Sequence, residues 1–157
     1  MNIIQYWFPN REYQKWWFKS TDTIDKFLYD NFYNDMLSAY NNMNINIECN
    51  MLLNDILLLD QVSRNINRIV KDLNIVEYTN KATILSHIWI ENKYHLSQPI
   101  EHTVFALMPL RHTNNITKYK ILFDIIKELE NDVTYEDSII LNKFKSTTYY
   151  KYNKLLL

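Results

Sequence analysis

The sequence predicts an all-α fold in a single domain spanning residues 1–157, and three observations carry the prediction. Apolar residues recur at steps of three and four along most of the chain. Glycine is absent, where average usage of about 7% would supply roughly 11; the glycine-dependent hairpin turns of all-β folds are therefore disfavoured. No linker, repeat or low-complexity stretch divides the chain. A chain of this length buries roughly 68–70% of its unfolded surface, enough for a core without disulfides.

The elements follow in order. Between Asp22 and Tyr40, Ile24, Phe27, Leu28, Phe32, Met36, Leu37 and Tyr40 form a helical stripe. Ser20, Thr21 and Asp22 offer capping oxygens, and Asp25 adds a negative charge to the first turn. A second helix starts near Asn50 and carries Met51, Leu52, Leu53, Ile56, Leu57, Leu58 and Leu59. A third runs from about Thr79 through Ile84, Leu85, Ile88 and Trp89. Ser97-Gln98-Pro99 breaks the chain. A short helix through Val104, Phe105 and Leu107 is expected to stop at Met108-Pro109, because a residue before proline avoids the helical region. Further helices cover Thr117 to Leu129 and Tyr135 to Tyr150. One core is expected from Ile24, Phe27, Phe32, Leu57, Leu58, Ile84, Ile88, Phe105 and Leu107. Without glycine, asparagine must serve where a helix ends left-handed, and Asn41-Asn42 and Asn114-Asn115 sit at expected ends.

Composition excludes several functions. Phosphate-cradling loops, the dinucleotide fingerprint, the nucleophile elbow and the calcium loop all require glycine. A net charge of −1 provides no global field for nucleic acid or an anionic membrane. The single cysteine, Cys49, forbids an intramolecular disulfide and suits a reducing compartment. The opening Met1-Asn2-Ile3-Ile4-Gln5 lacks a secretory pattern, and no apolar stretch reaches the ~20 residues of a membrane span. A cytoplasmic location is expected. The chain holds 20 Asn, 19 Ile and 13 Lys against 3 Ala. This bias follows A/T-rich codons and points to an A+T-rich genome, such as that of a large virus or an intracellular parasite.

The densest polar cluster is Asp60-Gln61-Val62-Ser63-Arg64-Asn65-Ile66-Asn67-Arg68, directly after an apolar run. On a helix, Asp60 and Arg64 stand one turn apart, as do Arg64 and Arg68, while Gln61, Asn65 and Arg68 share a neighbouring face. In a central helix these groups must be paired or bind something, because an unpaired buried charge is too costly. They form either an internal ion-pair network or a seat for a small anion, held by Arg64 and Arg68 with Asp60 orienting one of them. Structural networks gather such residues more often than ligand sites do. Arg64→Ala is then expected to strand Asp60 and cost ~3–5 kcal/mol.

Leu57-Leu58-Leu59-Asp60-Gln61-x-x-Arg64-Asn65-x-x-Arg68 resembles the signature of the bacterial domain-of-unknown-function family 924. Tyr6-Trp7-Phe8, Trp17-Phe18-Lys19 with Asp25, Leu28 and Phe32, and Phe105 with Pro109-Leu110-x-His112 follow that family's pattern in order over about residues 5–125. The resemblance implies an all-helical fold similar to tetratricopeptide superhelices, with no established activity. The chain departs from the family where Thr113-Asn114 follows His112 in place of Ser-Glu. Tyr119 replaces a glutamine, an aspartate is lost around Thr79, and Phe144 precedes Lys145-Ser146-Thr147-Thr148 in place of the C-terminal motif.

His112 is the histidine best placed to point at Asp60 or a ligand. His87, His95 and His102 lack the i, i+4 spacing of zinc ligands, so no metal and no cofactor is expected. Cys49 reads as a small core residue. Trp7, Trp16, Trp17 and Phe18 read as core and anchoring residues, with a stacking platform as the alternative. Lys143, Lys145, Lys151 and Lys154, interleaved with Phe144, Tyr149, Tyr150 and Tyr152, suit single-stranded nucleic acid or a last helix whose cations favour its dipole and whose tyrosines cover the core; four lysines give only a small electrostatic attraction, which favours the second.

The leading functional expectation is a non-catalytic helical module that binds a protein or peptide partner, by fold analogy alone. The other is a receptor or enzyme for an anionic or nucleotide-like ligand at Asp60, Gln61, Arg64, Asn65, Arg68 and His112. An enclosed polar cavity favours the second and an open apolar groove the first.

Overall fold

Asn2 and Gln5 cap one another reciprocally at 2.9 Å, each side-chain oxygen accepting from the other's backbone N–H. This cap starts α1 (Ile3–Trp7), which buries Ile3 and Trp7. Five residues are too few for a periodic signal, so only the Asn-x-x-Gln spacing announces this helix. The computed structural model describes all 157 residues and contains no strand.

Short 3-10 turns lead to α2 (Asp22–Asn41), which Thr21 caps by accepting from the Ile24 N–H at 3.3 Å. Its buried stripe is Asp25, Leu28, Phe32 and Met36. Phe27, expected inside, is 37% exposed and stacks on Tyr6 at 4.6 Å, covering α1. Ile24 is half-buried.

The next helix is continuous but changes winding. α3 (Cys49–Ile56) runs into a π-helical segment, Leu57–Val62, and emerges as α4 (Ser63–Val70). The widened winding accompanies a run of five consecutive buried residues, Ile56, Leu57, Leu58, Leu59 and Asp60. Ser63 donates to the carbonyls of both Leu59 (2.6 Å) and Asp60 (3.0 Å), giving them a partner where the winding changes. Cys49 is only half-buried and opens α3, its thiol 3.4 Å from Glu48.

α5 (Ile75–Glu91) begins a turn earlier than expected, at an Asn74 cap. Its inward face presents Tyr78, Ala82, Leu85 and Trp89, together with Thr79, Thr83 and Ser86. The Thr83 and Ser86 hydroxyls bond backbone carbonyls and so tolerate burial. These residues displace the expected isoleucines: Ile84 is 55% exposed and Ile88 half-buried.

α6 (Ile100–His112) is the axis of the molecule. Eleven of its 13 residues are buried, and it touches α3, the π segment, α5, α7 (Ile116–Glu130) and α8 (Tyr135–Leu155). The helix was expected to stop at Met108-Pro109, but it continues through Pro109 to His112. A proline inside a helix costs about 3 kcal/mol. Burial of Met108 and Leu110, 2% and 0% exposed, offsets that cost. The extra turn carries Arg111 and His112 inward.

A single cluster of 32 buried apolar residues joins all these helices. Of the expected left-handed asparagines, Asn114 has φ 56°, whereas Asn42 is extended at φ −72°. Lys71 and Lys93 instead adopt φ 59° and 58° at helix ends. No helix is long and apolar enough to cross a membrane.

Candidate functional site

Asp60, on the π segment, is completely buried. Its Oδ1 lies 2.8 Å from His112 Nδ1, and its Oδ2 accepts from Gln61 Nε2 at 2.8 Å. Arg64 Nε stands off at 3.6 Å from Oδ1. Burial alone would raise the Asp60 carboxyl, but His112, Arg64 and Gln61 outweigh it and hold the group below its ordinary value. Asp60 is therefore the ionised, acceptor-only partner, which assigns the proton to His112 Nδ1. His112 Nε2 is left without a protein partner. Burial pushes His112 below its ordinary pKa, Asp60 opposes, and the positive charges of Arg64 and Arg111 add to the downward shift. His112 thus reaches Asp60 as its motif predicts, through a continued helix rather than a terminated one.

Two carboxylates divide the remaining polar residues. Arg64 donates to Thr79 Oγ1 at 2.6 Å. Arg68 does not face Asp60: it grips Asp25 with Nε at 2.9 Å and a second nitrogen at 3.1 Å. Asn65 and Ser20 also donate to Asp25 Oδ1, at 2.9 and 3.0 Å. Asp25, read from sequence as a first-turn charge, is thus the buried anchor that ties α4 to α2.

One cavity of about 380 Å³ gathers these groups. Gln61, Arg64, Asn65, Arg68 and His112 line it, as do Trp7, Trp16, Trp17, Phe18, Ser20, Met108, Arg111, Lys143, Thr147 and Lys151. Five of these are Arg or Lys and none is Asp or Glu. Asp60 lies behind the wall.

The site groups missed by sequence reasoning are Arg111, Lys143, Thr147 and Lys151. Arg111 is 6% exposed and has no carboxylate partner. One terminal nitrogen donates to Thr147 Oγ1 at 2.7 Å, the Phe144 ring lies 5.5 Å away, and Nε bonds nothing. Burial pushes its pKa down to about 10. Lys143, Thr147 and Lys151 recur every four residues on α8, so one face of that helix closes the cavity. Much of Lys151 is in solvent, yet partial burial lowers its ammonium, and repulsion from Arg111 and Arg64 lowers it further. Tyr119 donates to the Arg111 carbonyl at 2.9 Å and fixes the last turn of α6. The aromatic wall is both core and lining: Trp7 and Trp17 are buried, and the Trp7 indole N–H has no partner.

The sequence signals for Arg111 were its place beside His112 and the Pro109 that seemed to exclude it from a helix. For Lys143 and Lys151 the signal was their four-residue spacing around Thr147.

No curated protein and no solved structure matches the chain. A family model described as bacterial protein of unknown function (DUF924) matches residues 3–154. That span is nearly the whole chain, the match includes the Leu57–Arg68 signature and the His112 segment, and the protein belongs to this family.

Proposed function

We propose that this protein binds a small, multiply charged organic anion, of phosphate-bearing and ring-containing type, in the cavity between α4, α6 and α8. The observation that carries the reading is the concentration of Arg64, Arg68, Arg111, Lys143 and Lys151 around one space with no acidic lining residue, in a chain of net charge −1. Asp25 and Asp60, behind the wall, neutralise two of those five charges and leave an excess of three. A monocarboxylate is too weakly charged to balance that excess, whereas a phosphate monoester dianion or a diphosphate suits it. The buried Arg111 guanidinium, with one nitrogen unbonded, is the sort of group that a bound anion satisfies. Trp7, Trp16, Trp17 and Phe18 supply an aromatic wall for a ring. The cavity's size also falls within the range of small-molecule sites. This favours the small-ligand reading over the peptide-binding one, which calls for an open apolar groove.

Thermal melting with inorganic phosphate, pyrophosphate, a sugar phosphate and a nucleoside monophosphate, against chloride at equal ionic strength, tests the proposal. A ligand at 100 times its dissociation constant stabilises the fold by ~2.7 kcal/mol. Arg111→Met removes the charge that has no carboxylate partner but keeps an apolar stem; it is expected to abolish that gain without lowering the melting temperature of the free protein. Absence of stabilisation by any of the four anions, or undiminished stabilisation in Arg111→Met, overturns the proposal.

A further inference from the structure

The anion cavity has a second property that binding alone does not require. A histidine held by a buried carboxylate looks into it. Asp60 engages His112 Nδ1 at 2.8 Å and has no exposure of its own, so the ring is fixed and its other nitrogen is the one left for the cavity. A neutral imidazole oriented in this way is a general base, and the surrounding guanidiniums suit the charge on the equatorial oxygens of a transferring phosphoryl group.

We infer that the protein hydrolyses phosphate monoesters in this cavity, with His112 as general base and Asp60 as its positioning residue. The inference rests on the anion-site reading above. A water oxygen forms a bond to phosphorus while the ester P–O bond breaks. The water proton passes to His112 Nε2, and the electron pair of the broken bond leaves on the alcohol or phenol oxygen, which is protonated from solvent. The imidazolium returns its proton to bulk water, so the products are the free alcohol and inorganic phosphate. Arg64 and Arg111 take the phosphoryl oxygens, and the Trp wall takes an aromatic leaving group.

The charged groups around the ring are Asp60 on the π segment, Arg64 on α4, Arg111 on α6 itself and Lys151 on α8. Burial, reinforced by the cations, keeps the His112 imidazole neutral at neutral pH, with Nε2 free of a proton as a base requires.

The full chain is assayed with p-nitrophenyl phosphate for phenolate release, in parallel with thermal melting in inorganic phosphate. Saturable turnover is expected, with kcat falling only at pH below the ordinary imidazole range, because burial and the neighbouring cations lower His112. H112Q should lower kcat at least ~100-fold while retaining the shift with phosphate. D60N should lower kcat more than it raises KM and move the acidic limb to lower pH, because the carboxylate that favours the imidazolium is gone; a purely structural role would leave the limb in place. Stabilisation by phosphate without turnover, or wild-type kcat in H112Q, overturns the hydrolytic inference and leaves the binding site standing. Failure of phosphate and the other anions to stabilise the protein overturns both.

Discussion

Asp60 meets three neighbours at unequal distances, and the inequality decides what each substitution does. Asp60→Ala removes the only carboxylate beside His112 and Arg64 in a fully buried position. The loss is expected at roughly 2–3 kcal/mol, because the buried Nδ1–H of His112 loses its charged acceptor. Arg64→Ala is different from the sequence-based expectation. Asp60 then keeps His112 and Gln61 at 2.8 Å, and the lost contacts are one ion pair at 3.6 Å, with Arg64 30% exposed, and one hydrogen bond to Thr79. About 1 kcal/mol is the expected cost. Urea titration separates the two, and equal midpoints for Asp60→Ala and Arg64→Ala would reject this ranking. The Asp60–His112 pairing was legible in the sequence because both residues sit in dense, recognisable motifs. The Arg68–Asp25 pair was not, since its members lie 43 positions apart and only the packing of α4 on α2 brings them together.

The site is assembled by one helix that changes winding and one that runs on through a proline. The π segment sets Asp60 inside and leaves Arg64 on the cavity wall, and α6 runs past its proline to deliver Arg111 and His112. Neither feature shows in periodicity: five buried residues in a row look the same in a regular buried helix, and proline reads as a stop. What the sequence does contain is Ser63, whose hydroxyl bonds the Leu59 and Asp60 carbonyls. Ser63→Ala leaves two buried carbonyls without that donor, and a loss of about 1–3 kcal/mol is expected in denaturant titration. The loss should be accompanied by weaker phosphate stabilisation, because Asp60 and its neighbours shift with the segment. A Ser63→Ala protein with wild-type stability and wild-type anion response would show that the π winding holds itself without the serine. Ordinary helices were far easier to read: α2 and α7 fall within a residue of their expected ends, since capping side chains and regular stripes coincide there.

At the scale of the whole molecule, charge is locally segregated: a chain of net charge −1 sets five of its 17 cations around one cavity with no acidic lining residue, which an average over the sequence conceals. The same segregation governs its response to acid. All four histidines titrate below the ordinary value in the folded state, burial being the leading cause in each; Lys118 reinforces it at His87, while Glu128 opposes it at His95 and Glu101 at His102. The unfolded chain binds those protons near pH 6.5 and the folded chain only at lower pH. Between the two values the unfolded state holds more protons, so stability rises with pH and falls as pH drops below about 6.5. Asp60 and Glu48 add a second, more acidic stage. Their folded pKa values are depressed, so the stability they contribute is present above the ordinary carboxylate range and is lost as pH falls through the folded values; Asp55, raised by burial, opposes them there. Melting temperature followed from pH 8 to pH 3 is therefore expected to decline in two steps, one beginning near pH 6.5 and one below about pH 4. His112→Gln removes one contributor and should shallow the first step while leaving the second. A melting temperature that stays level from pH 8 to pH 5 would mean that the histidines take up protons as readily in the folded chain as in the unfolded one, and the buried seat of His112 against Asp60 would be wrong.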